Sequence, residues 1–168
     1  MVDANNEPET LEEEVDHIVE ESRMVLPGIQ ALFGFQLIAV FNQRFTEVLP
    51  PMGCALHLFS LILVAVSIAL IMAPAAYHRQ AERGSISRYF ANYASRLVTI
   101  ALLPLLLAIS LEVSLVAYAI APVIALSSGI GAALAIFFIW LWFVFPAARA
   151  RTMRRAHGPP LPPSAPKT

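Results

Sequence analysis

The stretch that decides the fold is LVTIALLPLLLAISLEVSLVAYAIAPVIALSSGIGAALAIFFIWLWFVFP, residues 97–146. It carries one charged residue, Glu112. A helix needs about 20 apolar residues to cross a ~30 Å hydrocarbon core. The run is long enough for two such helices, broken by Pro122, so it reads as a helical hairpin spanning about 97–118 and 122–145. Two more spans lie upstream. One covers about 26–45 and contains Gln30, Gln36, Asn42 and Gln43; the other covers about 55–76, with His57 as its only ionisable group.

The rest of the composition agrees. Of the 168 residues, 58% are hydrophobic and 14% charged, and the mean hydropathy is +0.67. An ordinary soluble domain would carry about 25% charged residues. The acids are also segregated, with nine of the twelve in the first 21 residues. A soluble globule, a disulfide scaffold with one cysteine, and a nucleic-acid binder built on net basic charge are all excluded. The expected fold is an all-α integral membrane four-helix bundle.

Orientation follows from the basic residues near the span ends. Arg23, Arg79, Arg83, Arg88, Arg96, Arg149, Arg151, Arg154, Arg155 and Lys167 fall on one side, and Arg44 alone on the other. Both termini are therefore expected in the cytoplasm. The acidic start lacks the basic n-region of a signal peptide, so the first span is expected to remain.

Three regions follow: residues 1–25 as an acidic cytoplasmic helix, 26–146 as the membrane domain, and 147–168 as a basic, proline-rich tail, extended from Gly158. Thr10 and Glu13 fit a capping box ahead of a stripe of Leu11, Val15, Ile18, Val19 and Ser22. That stripe needs a cover, either the basic loop and tail of the same side or a protein partner. A solvated acidic tail is the plain alternative. Residues 86–97 form a second amphipathic stretch, with Ser85 as its N-cap and Ile86, Tyr89, Phe90, Tyr93 and Leu97 as its stripe. With Arg79, Arg83, Arg88 and Arg96 it reads as an interface with anionic lipid, or more plainly as a positive-inside stop.

Two short matches hint at an internal duplication. Ser22-Arg23 and Ser95-Arg96 precede spans one and three, and Pro74-Ala75-Ala76 and Pro146-Ala147-Ala148 end spans two and four. They suggest two parallel copies of a two-helix hairpin, with chance as the alternative.

Glu112 is the residue to weigh. It lies about 6 Å from the centre of its span, too deep for a short acid to reach the interface. It must be protonated, paired or wetted there. Partners of similar depth are Arg44, Asn42, Gln43 and His57, with Gln36 further in. The readings are a buried tie to Arg44 or His57, a proton- or cation-handling site, or a surface acid. His57, Ser60, Ser67, Pro74 and His78 share a face, though serines can bond their own helix.

No phosphate loop, nucleophile elbow or metal-ligand spacing occurs, and the four histidines are scattered. An enzyme is the class least supported, and no cofactor or metal is expected. The runs ESRMVLPGIQALFGFQLIAVFNQRF (21–45), HLFSLILVAVSIALIMAPAAYHR (57–79) and ASRLVTIALLPLLLAISLE (94–112) resemble a bacterial family of small four-helix membrane proteins classed as a domain of unknown function. Members of that family are sometimes labelled sodium:proton antiporters. The resemblance implies a bacterial inner membrane and strengthens the case for ion handling. Small multidrug transporters also pair four spans with one membrane glutamate, but theirs is on the first helix. Two functions follow: proton-coupled cation transport or ion handling by a homo-oligomer, or a non-transporting adaptor or regulatory subunit that recruits a partner through its acidic helix.

Overall fold

The computed structural model describes residues 10–81 and 87–156, and among them it is all helical. The helices are α1 (Leu11–Val40), α2 (Phe45–Val48), α3 (Pro51–Ala81), α4 (Arg88–Ile120), α5 (Ile124–Ile139) and α6 (Phe145–Ala156), the last two joined by a π-helical turn at Trp140–Val144. Four spans are long and apolar enough to cross a membrane: Val15–Val40, Pro51–Gln80, Arg88–Ile120 and Ile124–Thr152. This is the predicted four-helix membrane architecture.

The helix limits differ from the expected ones in instructive ways. No break separates an acidic helix from a first span, because α1 runs unbroken from Leu11 to Val40. It even passes through Pro27, which removes only one intrahelical hydrogen bond. The helix ends at Val40, not Phe45, so Asn42, Gln43 and Arg44 lie in a turn. The capping box is as expected: Glu13 N–H donates to Thr10 Oγ1, and Thr10 N–H donates to the Glu13 carboxylate at 2.8 Å.

No separate interfacial helix precedes the third span. Residues 88–97 are the first turns of α4, capped by Ser87 rather than Ser85, with Phe90 N–H donating to Ser87 Oγ. Ser85, Ile86 and Arg83 lie outside the described residues, as does the tail from residue 157. Residues 147–156, assigned to the tail, continue the fourth span as helix α6. The π turn ahead of it has a chemical cause. Pro146 has no N–H to give Trp142 O and its ring crowds that carbonyl, so the backbone widens one turn earlier, where Phe145 N–H reaches Trp140 O.

Helix α4 occupies the middle, packed against α3, α5 and α1. In its most apolar stretch 33% of residues are buried, against 6% in the fourth span and 11% in the first, so the outer two leave most of their apolar surface uncovered within the bundle. The central core joins Ile29 of α1, Val64 and Ile71 of α3, and Ala101, Leu105 and Ala108 of α4, with Trp142 against it. Ser67 ties the layers by donating its hydroxyl to Ala101 O at 2.9 Å. The α4–α5 contact is closer still, since a Cβ on Gly131 would lie 2.9 Å from Ser114 Cβ. The two hairpins have unlike turns: residues 41–50, including α2, join α1 to α3, whereas residues 121–123 alone join α4 to α5.

A second cluster lies at the end of the bundle where α1 and α4 begin and α3 ends. Val15 packs on Phe90, Ala91 and Ala94, with Ile18, Val19 and Tyr77 around them. The apolar stripe of the acidic segment is thus covered by the start of α4. The inward face of α4 agrees with the expected one at Phe90 but is otherwise turned: Ala91 and Ala94 are buried with it while Tyr89 is exposed. Alanines let α1 approach closely, which two tyrosines at this seam would prevent.

Candidate functional site

The polar residues of three spans meet near the opposite end of the bundle, where the turns 41–50 and 121–123 lie. His57 is placed by the first turns of α3, two turns after Pro51 at the helix start, where a missing N–H costs nothing. Every third or fourth residue of α3 from there faces inward: His57, Ser60, Val64, Ser67, Ile71 and Pro74 are all buried. Glu112 comes from the same inward face of α4 as Leu105 and Ala108. Gln36 comes from α1, one helical repeat beyond the buried Ile29.

The structure brings Glu112, His57 and Gln36 together. Glu112 Oε1 lies 2.9 Å from His57 Nδ1, with 16% of the Glu112 side chain and 5% of the His57 side chain exposed. Ser60 Oγ also bonds Glu112 Oε1. Gln36 Nε2 donates to Ser60 Oγ at 3.2 Å, and His57 Nε2 is 3.1 Å from Gln36 O. Phe45 sets its ring edge-on to His57, with centroids 4.9 Å apart.

The network fixes the protons. A carbonyl only accepts, so His57 Nε2 must carry a hydrogen toward Gln36 O. The nitrogen left to exchange a proton is Nδ1, and it faces the carboxyl. One proton in that contact gives either a neutral acid with a neutral imidazole or an ion pair, and both have zero net charge. Ser60 has one hydrogen and two acceptors, Glu112 Oε1 and its own helix's His57 O at 2.9 Å. Its hydroxyl can serve a carboxylate and turn away from a protonated acid. Gln36 Oε1 is buried with no hydrogen-bond partner among the described residues.

The carboxyl is reachable. Glu112 and His57 line a cavity of about 260 Å³ with Asn42, Arg44, Phe45 and Leu49. Arg44 is therefore near, but no ion pair joins it to Glu112 among the described residues; the early end of α1 leaves it exposed in the turn. Asn42 Oδ1 accepts from Arg44 N–H at 3.0 Å and shapes that turn. Gln43 is exposed and lines none of this cavity. Phe45 is a site residue that sequence reasoning did not single out, and Ser60 was placed on the face of His57 without being read as a partner of Glu112. The signal for Ser60 was its place one turn after His57 on the inward face.

Of the interface arginines, Arg79, Arg88 and Arg96 are exposed at the terminal end. The acids Glu13, Asp16, Glu20 and Glu21 are exposed on α1. Thr10 holds the Glu13 carboxyl below its usual value through its backbone N–H first and its hydroxyl second. Among the described residues no three of His, Cys, Asp and Glu are grouped to hold a metal. Cys54 is half-buried with Sγ 3.8 Å from Leu49 O.

No curated protein and no solved structure matches the chain. A family described as being of unknown function, DUF6328, matches residues 4–146, most of the sequence, and the chain belongs to that family.

Proposed function

We propose that this protein handles protons or small monovalent cations in a bacterial inner membrane, with both termini cytoplasmic, through the Glu112–His57 pair. The observation that carries the reading is the 2.9 Å contact between a carboxyl and an imidazole held between spanning helices and open to a cavity. An intramembrane ionisable pair is expensive and is retained mainly where ions or protons pass. Ser60 supplies a hydroxyl that can follow the proton, Gln36 fixes the imidazole tautomer, and Arg44 and Asn42 line the mouth. The chemistry is exchange of a proton or cation with no covalent turnover, so the protein is not an enzyme.

Four spans are few for a two-sided path, and the reading includes a homo-oligomer. Gln30 supports it. This amide is exposed on α1 one residue after the core residue Ile29, and lipid offers it no hydrogen bond. A second copy presenting the same amide does.

The test is reconstitution of the wild type and Glu112→Gln into liposomes with an internal pH dye, followed by a pulse of Na⁺, K⁺ or acid. A pH change in wild type that falls to background in a folded Glu112→Gln supports the reading. Silence from folded wild type with every cation overturns it. The exposed acids Glu13, Asp16, Glu20 and Glu21 favour the second reading, an adaptor for a basic partner. Neutralising those four acids would then abolish partner capture, and flux would be absent throughout.

A further inference from the structure

Three ionisable side chains line the cavity of about 260 Å³ that reaches the carboxyl: Glu112, His57 and Arg44. Arg44 makes no ion pair with Glu112 or with Glu47 among the described residues. Glu47 is exposed on α2 and does not line the cavity. It is the one acid between residues 24 and 81, and Glu112 is the one acid between residues 87 and 146. The spans therefore hold no further carboxylate to neutralise the arginine, and the cavity carries a fixed positive charge on its wall.

That wall offers little to replace the hydration shell of a metal cation. Among the described residues Asn42 and Glu112 supply its only side-chain oxygens, and Asn42 Oδ1 already accepts from Arg44 N–H at 3.0 Å. Much of the rest is apolar, including Ala39, Leu49, Leu115 and Val116. The spacing at the carboxyl is also too tight. A hard cation with oxygen ligands at about 2.4 Å holds neighbouring ligands about 3.4 Å from one another. Glu112 Oε1 and His57 Nδ1 are 2.9 Å apart, the separation of groups that share a hydrogen. Ser60 Oγ bonds the same carboxyl oxygen. A proton needs no shell of ligands. It arrives through water, which occupies about 30 Å³ per molecule and fits the cavity several times over.

We propose that the ion exchanged at Glu112 is the proton, and that Arg44 is the specificity-determining residue that denies the site to Na⁺ and K⁺. The inference rests on the ion-handling reading of the Glu112–His57 pair and narrows it. Apolar walls of low dielectric focus the field of the arginine into the cavity. The repulsion acts on every cation, but its consequence differs. A proton forms an O–H or N–H bond at the pair and has binding to spare. A metal cation that would trade its water for one carboxylate has none. Gln43 provides the internal control, because it is exposed on the same turn, next to Arg44, and does not line the cavity.

The experiment uses the full chain in liposomes that contain a pH dye and a Na⁺ dye, with a permeant anion present to relieve the potential. In wild type an acid pulse should give the same proton flux in sodium, potassium or choline salts, with no Na⁺ uptake above that of empty liposomes. Arg44→Gln should raise the ratio of Na⁺ to proton flux about tenfold, the order expected for removing one unit charge from a cavity wall. Arg44→Lys keeps the charge and should keep the wild-type ratio. Gln43→Glu lowers the charge of the turn by the same one unit and should also keep it. The turn itself is held by the backbone N–H of Arg44, so these side-chain changes leave its bond to Asn42 in place. A pH change driven by Na⁺ or K⁺ in wild type would overturn the proton assignment and leave the ion-handling reading standing. An unchanged ratio in Arg44→Gln would overturn the role of Arg44, and an equal rise in Gln43→Glu would replace it with diffuse surface charge. Silence from folded wild type with every ion would remove the ion-handling reading and this inference with it.

Discussion

His57 Nδ1 and Glu112 Oε1 stand 2.9 Å apart, and this contact joins the first third of α3 to the last third of α4. Neither residue is stable alone at that depth. Replacing His57 with Leu leaves a carboxyl between helices with Ser60 as its remaining partner. Breaking one half of a buried pair costs about 3 kcal/mol. Replacing both, His57→Leu with Glu112→Leu, removes the demand together with its answer. The double variant is expected to be more stable than His57→Leu alone in denaturant unfolding. The opposite order would show that the pair is not the main partner of Glu112.

The α4–α5 seam makes a sharper prediction. A Cβ on Gly131 would meet Ser114 Cβ at 2.9 Å and the backbone oxygen of Ser110 at 3.0 Å, whereas one on Gly129 would meet nothing within 4 Å. Gly131→Ala should destabilise by about 1–3 kcal/mol through overpacking. Gly129→Ala should be neutral or stabilising by up to about 1 kcal/mol, because alanine is the better helix former. Thermal unfolding of both variants side by side checks the contrast.

Phe90 is 2% exposed and holds the α1 segment that contains Val15. Phe90→Ala should cost about 3–5 kcal/mol locally. Amide hydrogen exchange is expected to rise across residues 11–22 while residues 98–115 keep their protection. Uniform loss of protection would mean that the terminal cluster is not a separate unit.

Glu13 ties the start of α1 to pH. Its carboxyl is held below the ordinary value of 4.5 by Thr10. A carboxyl lowered in the folded state contributes stability above its unfolded pKa and loses it as pH falls through the folded one. The first turn of α1 should therefore loosen below about pH 4.5. In an NMR titration Thr10→Ala should move the Glu13 midpoint up toward the ordinary value; an unchanged midpoint would remove the capping box as the cause.

Gln30 tests the oligomer. It is exposed, so Gln30→Leu should leave unfolding of the single chain unchanged. Membrane hydrogen bonds of this kind are worth about 0.6–2 kcal/mol, which corresponds to a three- to thirtyfold weaker association. Fluorescence transfer between labelled copies in liposomes reads it, and an unaltered signal would place the interface elsewhere.

Much of this was legible in the chain. Hydropathy alone places four spans, and the isolation of Glu112 in 50 residues marks it as the group needing a partner. The face shared by His57, Ser60, Ser67 and Pro74 follows from helical spacing and is buried as a unit. What composition could not decide was which base meets the acid. That depended on α1 ending at Val40, five residues before the expected limit, which leaves Arg44 in the turn. Nor could it decide where α1 begins. A change from acidic to apolar sequence looks like a boundary, but the backbone has no reason to stop being helical there. Phe90 was in the expected stripe, but Ala91 and Ala94 beside it were missed, because a stripe search favours the larger tyrosines, whereas close approach selects the alanines. Pro146 read as the end of a span; the widened turn before it lets the helix continue.

The unbroken course of α1 has a mechanical consequence. At about 1.5 Å per residue, one rod carries Val15, clamped beside Phe90, and Gln36, bonded to Ser60, about 32 Å apart. A helix transmits displacement along its axis, and the one place where this rod lacks a rung is Pro27. Any displacement of the acidic head would be carried toward Ser60 by a single shaft with a single joint.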